Sequence, residues 1–363
     1  MQLLGLNTKE LEDVLQAMGE PAYRGRQVAE WIYRRGATSF DAMTNLSRDL
    51  RARLAAQHSL DLPTIAARHH SEDGSTKLLL EMADGERIET VRLPYADRLS
   101  VCVSSQAGCA MACAFCATGL GGFRRNLSVA EIIAQPLLAM TIDDLRLTIG
   151  ENPDSSIVNH QSSIKLPTHI VFMGMGEPLL NLNNVLQVIH LMHGEMGIAM
   201  RHITVSTVGI LHGMRRLADE KLQLTLAVSL HAPDDELRHR LIPTSMKTRV
   251  SDIIEAAKEY VEKTRRRVTF EYVVLGGVND GPQHACKLAQ LCRSWPCHVN
   301  LIPWNAVPDA KWEGAIFVPP NPEALKQFRA ILEHAGITVT QRVQRGADVA
   351  AACGQLRAIE AVS

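Results

Sequence analysis

The chain has no apolar run approaching the ~18 residues of a membrane span, and its opening stretch, Met1 to Leu15, holds no uninterrupted apolar segment behind a basic start. No membrane association is expected, and the cytoplasm is the expected compartment. An excess of charge is also missing: the formal net charge is −1 over 363 residues, so no global field draws in a polyanion. Nucleic acid would have to be met by local patches, for which Arg24, Arg26, Arg34, Arg35, Arg48, Arg51, Arg53, Arg124, Arg125 and Arg265 to Arg267 are the candidates, although most such arginines simply face solvent. There is no internal repeat, and no second closely spaced cysteine pair of the kind a structural zinc site uses.

What is present is 46% hydrophobic residues in a length that buries one large core plus a small accessory unit. The first 60 or so residues carry helix punctuation: a start at Asn7 or Thr8 and a stop at Gly19, a second segment from Pro21 to Gly36, and a third behind Ser47. Their arginines suit an RNA backbone. Residues 75–82 and 86–93 flank Asp84-Gly85, a hairpin signal. From Leu99 onward, seven short β-branched runs alternate with helix-length segments, which predicts parallel βα units in a barrel or part-barrel with its site at the carboxyl ends of the strands. The polar, aperiodic stretch from Arg146 to Pro167 reads as an exposed loop insertion.

Eight cysteines in a cytoplasmic chain point to metal ligands, catalytic thiols and core residues rather than to disulfides. Cys109, Cys113 and Cys116, spaced CxxxCxxC, follow a strand and precede a helix whose start carries a capping box of Ser128 and Glu131. Three close thiolates ligate three irons of a 4Fe-4S cluster and leave the fourth open to the amino and carboxylate groups of S-adenosylmethionine (SAM). A zinc site would want a fourth ligand. Cys286, Cys292 and Cys297 have no partner motif and are assigned to core or surface filling. A cysteine inside an apolar strand, as Cys102 is, is ordinarily a small buried hydrophobe. Cys353 lies between Ala351, Ala352, Gly354 and Gln355, too few large side chains for a packed strand, and reads as part of a mobile loop.

With these residues in view, the chain resembles the radical-SAM RNA methyltransferases that act on C2 of an adenine. The likeness runs through residues 23–36, 40–47, 88–94, 104–119, 122–132, 172–185, 229–238, 271–280, 300–305 and 351–356. It implies a partial (β/α)6 TIM-like barrel over 96–345, a helical RNA-binding accessory domain over 1–60, a β-hairpin linker over 61–95 and a C-terminal loop over 346–363. It also implies methylation at adenosine 2503 of 23S rRNA and, in some members, at adenosine 37 of tRNA.

The implied route uses two SAM per turnover. One methylates Cys353; a second, cleaved at the cluster to a deoxyadenosyl radical, activates the methylthio group, whose carbon adds to C2. After loss of an electron and of the C2 proton, for which Glu89 is the implied acceptor, Cys102 attacks the Cys353 sulfur and releases methylated RNA and a disulfide. An electron donor and a disulfide reductant are thus implied partners. Gly176, Glu177, Ser206, Ser229, Leu230, His231 and Asn305 match the family's SAM contacts, and a monomer is expected. The tail after Cys353 is shorter than in some members. Rival readings are the C8-directed rRNA adenine methyltransferases, a zinc-holding RNA-binding protein and a sulfur-inserting radical enzyme; the last would need a second cysteine triad.

Overall fold

The computed structural model describes residues 1–140 and 166–358; the expected loop insertion falls outside the described residues apart from its last two. Three helices open the chain: α1 (Thr8–Ala17), α2 (Tyr23–Tyr33) and α3 (Arg48–Gln57). Asn7 caps α1 in a box with Glu10, and Ser47 caps α3, so both starts lie where short polar side chains satisfy the free N–H groups of a first turn. Leu11, Leu15, Val28, Ile32, Leu50 and Leu54 bury the shared face. The helices are tied to the rest of the molecule by Thr8, whose N–H and hydroxyl both donate to the Glu195 carboxylate at 2.9 and 2.6 Å, and by Arg34, which donates to the carbonyl of Met196 at 2.9 Å.

The strands β1 (Thr64–His70), β2 (Thr76–Glu81), β3 (Arg87–Pro94) and β4 (Leu99–Cys102) follow as an antiparallel run. After β4 come β5 (Gln106–Gly108), α4 (Ala117–Leu120), β6 (Phe123–Asn126) and α5 (Val129–Met140). The chain then alternates β7 (His169–Phe172), α6 (Leu182–Gly194), β8 (Ile203–Thr207), α7 (Leu211–Asp219), β9 (Thr225–Ser229), α8 (Asp235–Leu241), α9 (Val250–Thr264), β10 (Val268–Val274), α10 (Pro282–Cys292) and β11 (Cys297–Pro303). A two-residue ribbon of β12 (Lys311–Trp312) and β13 (Ala315–Ile316) precedes α11 (Pro322–His334) and β14 (Thr338–Gln341). All seven runs predicted from Leu99 onward are strands, giving six βα units and a closing strand.

The sheet has ten strands in the order β1-β2-β3-β4-β7-β8-β9-β10-β11-β14. The expected hairpin is therefore continuous with the barrel wall: β3 pairs antiparallel with β4, and β4 pairs parallel with β7. A strand that sequence reading passed over, β1, completes this extension; its side chains are exposed or half-buried, with no buried face to detect. Interior strand β10 is buried at every residue, the pattern of a strand covered on both faces. Among the described residues no helix is long and apolar enough to cross a membrane.

Where α1 and α2 cross, Gly25 lets the backbones touch: a Cβ there would meet the amide nitrogen of Glu12 at 2.4 Å and its Cα at 2.5 Å. Gly25→Ala is expected to destabilise the protein by roughly 1–3 kcal/mol, as overpacking against backbone does, read as a lower urea midpoint; an unchanged midpoint would show that the crossing relaxes.

Candidate functional site

The ladder of β5 and β6 closes the loop that carries the cysteine triad, with the N–H of Cys109 donating to the Gly122 carbonyl at 2.8 Å. Glycines make the fold of this loop tight. A Cβ on Gly119 would sit 2.7 Å from the nitrogen of Cys113, and Gly108 has φ +72° with the Gly122 carbonyl against it. Cys109, Cys113 and Cys116 line one cavity of about 150 Å³, and backbone N–H groups of Met111 and Gly176 point at the Cys109 sulfur, those of Thr118 and Gly119 at Cys116.

Burial pushes the Cys109 thiol up to about 12 and raises Cys113 and Cys116, with the neighbouring sulfurs adding to the effect. Among the described residues no three side chains converge as a single metal ion requires. Beside Cys113 lies Arg238, fully buried, with Nη2 donating to the Val208 carbonyl and with Nε and Nη1 lacking any partner. A buried guanidinium without an anion is costly. Three sulfurs around one cavity, two of them with backbone N–H donors aimed at them and the third beside a buried guanidinium with two unpartnered nitrogens, fit a thiolate-held anionic cluster.

Around the same cavity stand Gly176, Glu177, Ser206, Ser229, His231 and Asn305, each at the carboxyl end of a strand. Leu230 differs. Its side chain is fully buried in the main core, and only its backbone approaches the rim, donating to the Glu271 carbonyl at 3.1 Å. Gly176 has φ +99°, and a Cβ there would lie 2.5 Å from Cβ of Gln106. Gln106 in turn accepts from the N–H of Glu177 at 2.9 Å, while Glu177 accepts from Leu179 and Val208 at 3.0 and 2.8 Å. Burial nevertheless pushes the Glu177 carboxyl up to about 7. His231, at φ 60°, accepts from the Val273 N–H on Nδ1; burial and Arg238 hold it down near 3, so the ring is neutral. The hydroxyls of Ser206 and Ser229 lie 3.4 Å apart.

A second cavity adjoins the first and is lined by Cys102, Cys353, Tyr95 and Arg342; Met173, Ile302, Asn305 and Cys353 belong to both. Residues from β4 and from beyond β14 thus meet. The segment carrying Cys353 was expected to be mobile. It is a loop, but a tethered one. Ala117 donates to the Gly354 carbonyl at 2.7 Å, Asn305 Nδ2 to the Cys353 carbonyl at 2.9 Å, and Thr118 Oγ1 to the Leu356 carbonyl at 2.6 Å. Glu89 lines neither cavity; it is 2% exposed, paired with Lys77 at 2.9 Å, and accepts from the N–H of Arg357 at 2.8 Å.

Residues 1–60 match the family described as the ribosomal RNA large subunit methyltransferase N-terminal domain, and residues 103–289 match the radical SAM superfamily. A probable dual-specificity RNA methyltransferase RlmN of Thermosynechococcus vestitus is 47% identical over the full length of both chains. Its namesake in Dictyoglomus thermophilum is 42% identical over 98% of this chain and 97% of its own. The chain belongs to the RlmN family. A crystal structure of a radical SAM methyltransferase from Sphaerobacter thermophilus, 43% identical, superposes with a TM-score of 0.88 over 99% of this chain and all of that one. The radical SAM fold expected from the motifs is thus the fold found.

For this RlmN-family chain, sequence reading missed the supporting residues Lys77, Gln106, Arg238, Glu271 and Arg342. Arg238 and Glu271 stood inside the matched stretches, yet nothing in their spacing distinguishes a buried charge from a solvated one. Several arginines offered as an RNA clamp are partnered internally: Arg26 with Glu12, Arg35 with Glu30, Arg53 with Glu20, and Arg125 with both Asp84 and Glu131, whereas Arg48 and Arg124 are exposed.

Because the Glu177 carboxyl is raised in the folded chain, the folded state holds more protons than the unfolded state between the ordinary carboxyl value and about 7. Its contribution is fully present below the ordinary value and is lost as pH rises through that window. Glu177→Gln in the cluster-free chain should flatten the fall in stability between pH ~4.5 and ~7; urea unfolding across the window that shows the wild-type slope would contradict this.

Proposed function

We propose that the protein methylates C2 of adenosine 2503 in 23S rRNA, and of adenosine 37 in tRNA, through a methylated Cys353 and a transient protein-RNA adduct. The observation that carries the reading is that Cys353 alone among the thiols lies in the wall shared by the cavity of the cysteine triad and the cavity of Cys102. A group on that sulfur can be exposed to chemistry on one side and released from the other.

Cys109, Cys113 and Cys116 would hold a 4Fe-4S cluster, which with SAM supplies a carbon radical. Adenine C2 is electron-poor and does not attack a methyl group as an amine would, so a radical route suits it. The neutral His231, the paired hydroxyls of Ser206 and Ser229, and the Glu177 carboxylate offer hydrogen-bond partners to SAM along one rim. Asn305 holds the carbonyl of Cys353 itself, setting the sulfur on the shared wall.

Cys102 must attack as a thiolate, yet burial pushes its thiol up to about 12; the guanidinium of Arg342 in the same cavity opposes that rise. Glu89 is the carboxylate proposed to take the C2 proton. Exposed Arg48 on the helical domain and Arg124 beside the cluster loop remain as candidate phosphate contacts. An external electron donor and a reductant for the Cys102–Cys353 disulfide complete the cycle.

Cys102→Ala should accumulate a covalent protein-RNA adduct, because no thiol resolves the bridge; a denaturing gel showing only free protein after turnover sinks the assignment. Cys116→Ala, reconstituted anaerobically with iron and sulfide, should lose the broad visible absorption and all SAM cleavage, whereas Cys353→Ala should keep both and lose methylation. Mass mapping of adenines in rRNA and tRNA exposed to the wild-type protein decides the position: modification at C8, or none at C2, overturns the C2 reading.

A further inference from the structure

The sheet register places Lys77, Glu89 and Cys102 on one face. Lys77 is opposite Val91, and Val91 is opposite Cys102, so the three share a row across β2, β3 and β4; Glu89, opposite Leu79, is the diagonal neighbour of Lys77. The face is covered by the C-terminal segment that carries Cys353. The ammonium of Lys77, 7% exposed, lies 2.9 Å from Glu89 Oε1 and donates as well to the Ala350 carbonyl at 3.3 Å. Glu89 Oε2 accepts from the N–H of Arg357 at 2.8 Å. One buried ion pair therefore grips the segment on both sides of Cys353, at Ala350 and at Arg357.

We infer that Lys77 is a positioning residue of the reaction: it holds Glu89 and the Cys353 segment in a closed latch, so that Glu89 becomes available as a base only when the segment lifts. The inference rests on the proposed roles of Glu89 and Cys353. In the closed state both carboxylate oxygens are engaged and Glu89 is 2% exposed, so no substrate carbon reaches it. Lifting the segment removes the Arg357 N–H from Oε2 and the Ala350 carbonyl from the ammonium, while Lys77 stays on Oε1 and keeps the carboxylate oriented. Oε2 is then the open oxygen. In the proton step the C2–H bond breaks, its electron pair stays with the substrate and the proton passes to Glu89; nothing is oxidised or reduced. Motion of Cys353 with its bound substrate and exposure of the base become a single event, and proton removal waits until the adduct exists.

A charge-assisted bond is about twice as strong as a neutral one, so neutralising the latch loosens the segment. Amide hydrogen exchange in the full chain should rise about tenfold over residues 350–357 in Glu89→Gln and in Lys77→Met, with Leu78 and Leu80 unchanged as internal controls. Lys77→Arg should restore wild-type exchange. Each single variant leaves one buried charge unpaired, so Lys77→Met/Glu89→Gln, which buries none, is read alongside them and decides if a single variant fails to fold. Cys102–Cys353 disulfide formation under a mild thiol oxidant should slow in the same variants, because the latch holds Cys353 over the face that carries Cys102.

With RNA, Lys77→Met should methylate Cys353 yet leave the adduct unresolved, and Lys77→Arg should clear it. Wild-type exchange over 350–357 in the double variant overturns the latch. Faster exchange together with normal clearance of the adduct in Lys77→Met overturns the positioning role. The exchange and disulfide measurements need no turnover, so a failure of the C2 reading, seen as unmethylated RNA and unmodified Cys353 in the wild type, is told apart from a failure of the latch.

Discussion

The pinning of residues 350–357 across the carboxyl rim of the barrel is the constraint on which the rest of the site depends. The carbonyls of Ala350, Cys353, Gly354 and Leu356 are taken by Lys77, Asn305, Ala117 and Thr118, from a strand of the sheet extension, the loop after β11 and the cluster loop. A segment with few large side chains cannot hold itself by packing; it is held by its main chain, which is the part of it that every residue supplies. That attachment puts one sulfur into the wall between two cavities. Because α4 and the cysteine loop provide two of the donors, the position of Cys353 is referenced to the triad itself.

Charge balance in this interior rests on few groups. The thiols are raised by burial, and two guanidiniums oppose that: Arg238 beside Cys113 and Arg342 beside Cys102. The carboxylates Glu177 and Glu271 are raised as well, the latter even while Asn300 donates to it at 2.8 Å. A region that buries this many titratable groups trades stability for function, and the layered core around it, with Phe270, Tyr272 and Phe172 fully buried, provides the compensating apolar burial at roughly 1.5–3 kcal/mol per large side chain.

The local elements were the legible part. Asn7, Ser47 and the Ser128–Glu131 box mark helix starts by side chains within three residues, and the seven β-branched runs from Leu99 onward mark strands by composition over four to eight. β1 was illegible because none of its side chains is buried, so no apolar face marks it, and Lys77 because a lysine in an apolar strand gives no sign of the carboxylate it will meet. Leu230 shows the converse: a resemblance names a position at the rim, while the fold turns its side chain into the core and leaves only the backbone there.

The sequence by itself determined the chemistry class. Cys109, Cys113 and Cys116 lie within one short loop, so their spacing alone confines three sulfurs to a small volume, and glycines beside them dictate how tightly that loop folds. Only the tertiary structure decided that Cys353 and Cys102 line one cavity, that Lys77 joins Glu89 to the segment bearing Cys353, and that buried Arg238 has two nitrogens with no hydrogen-bond partner among the described residues. Those relations join residues far apart along the chain, and they exist because the sheet register aligns β2, β3 and β4 on one face and the last segment is laid across it. Local spacing encodes which sulfurs share a loop, whereas long-range pairing sets what they meet.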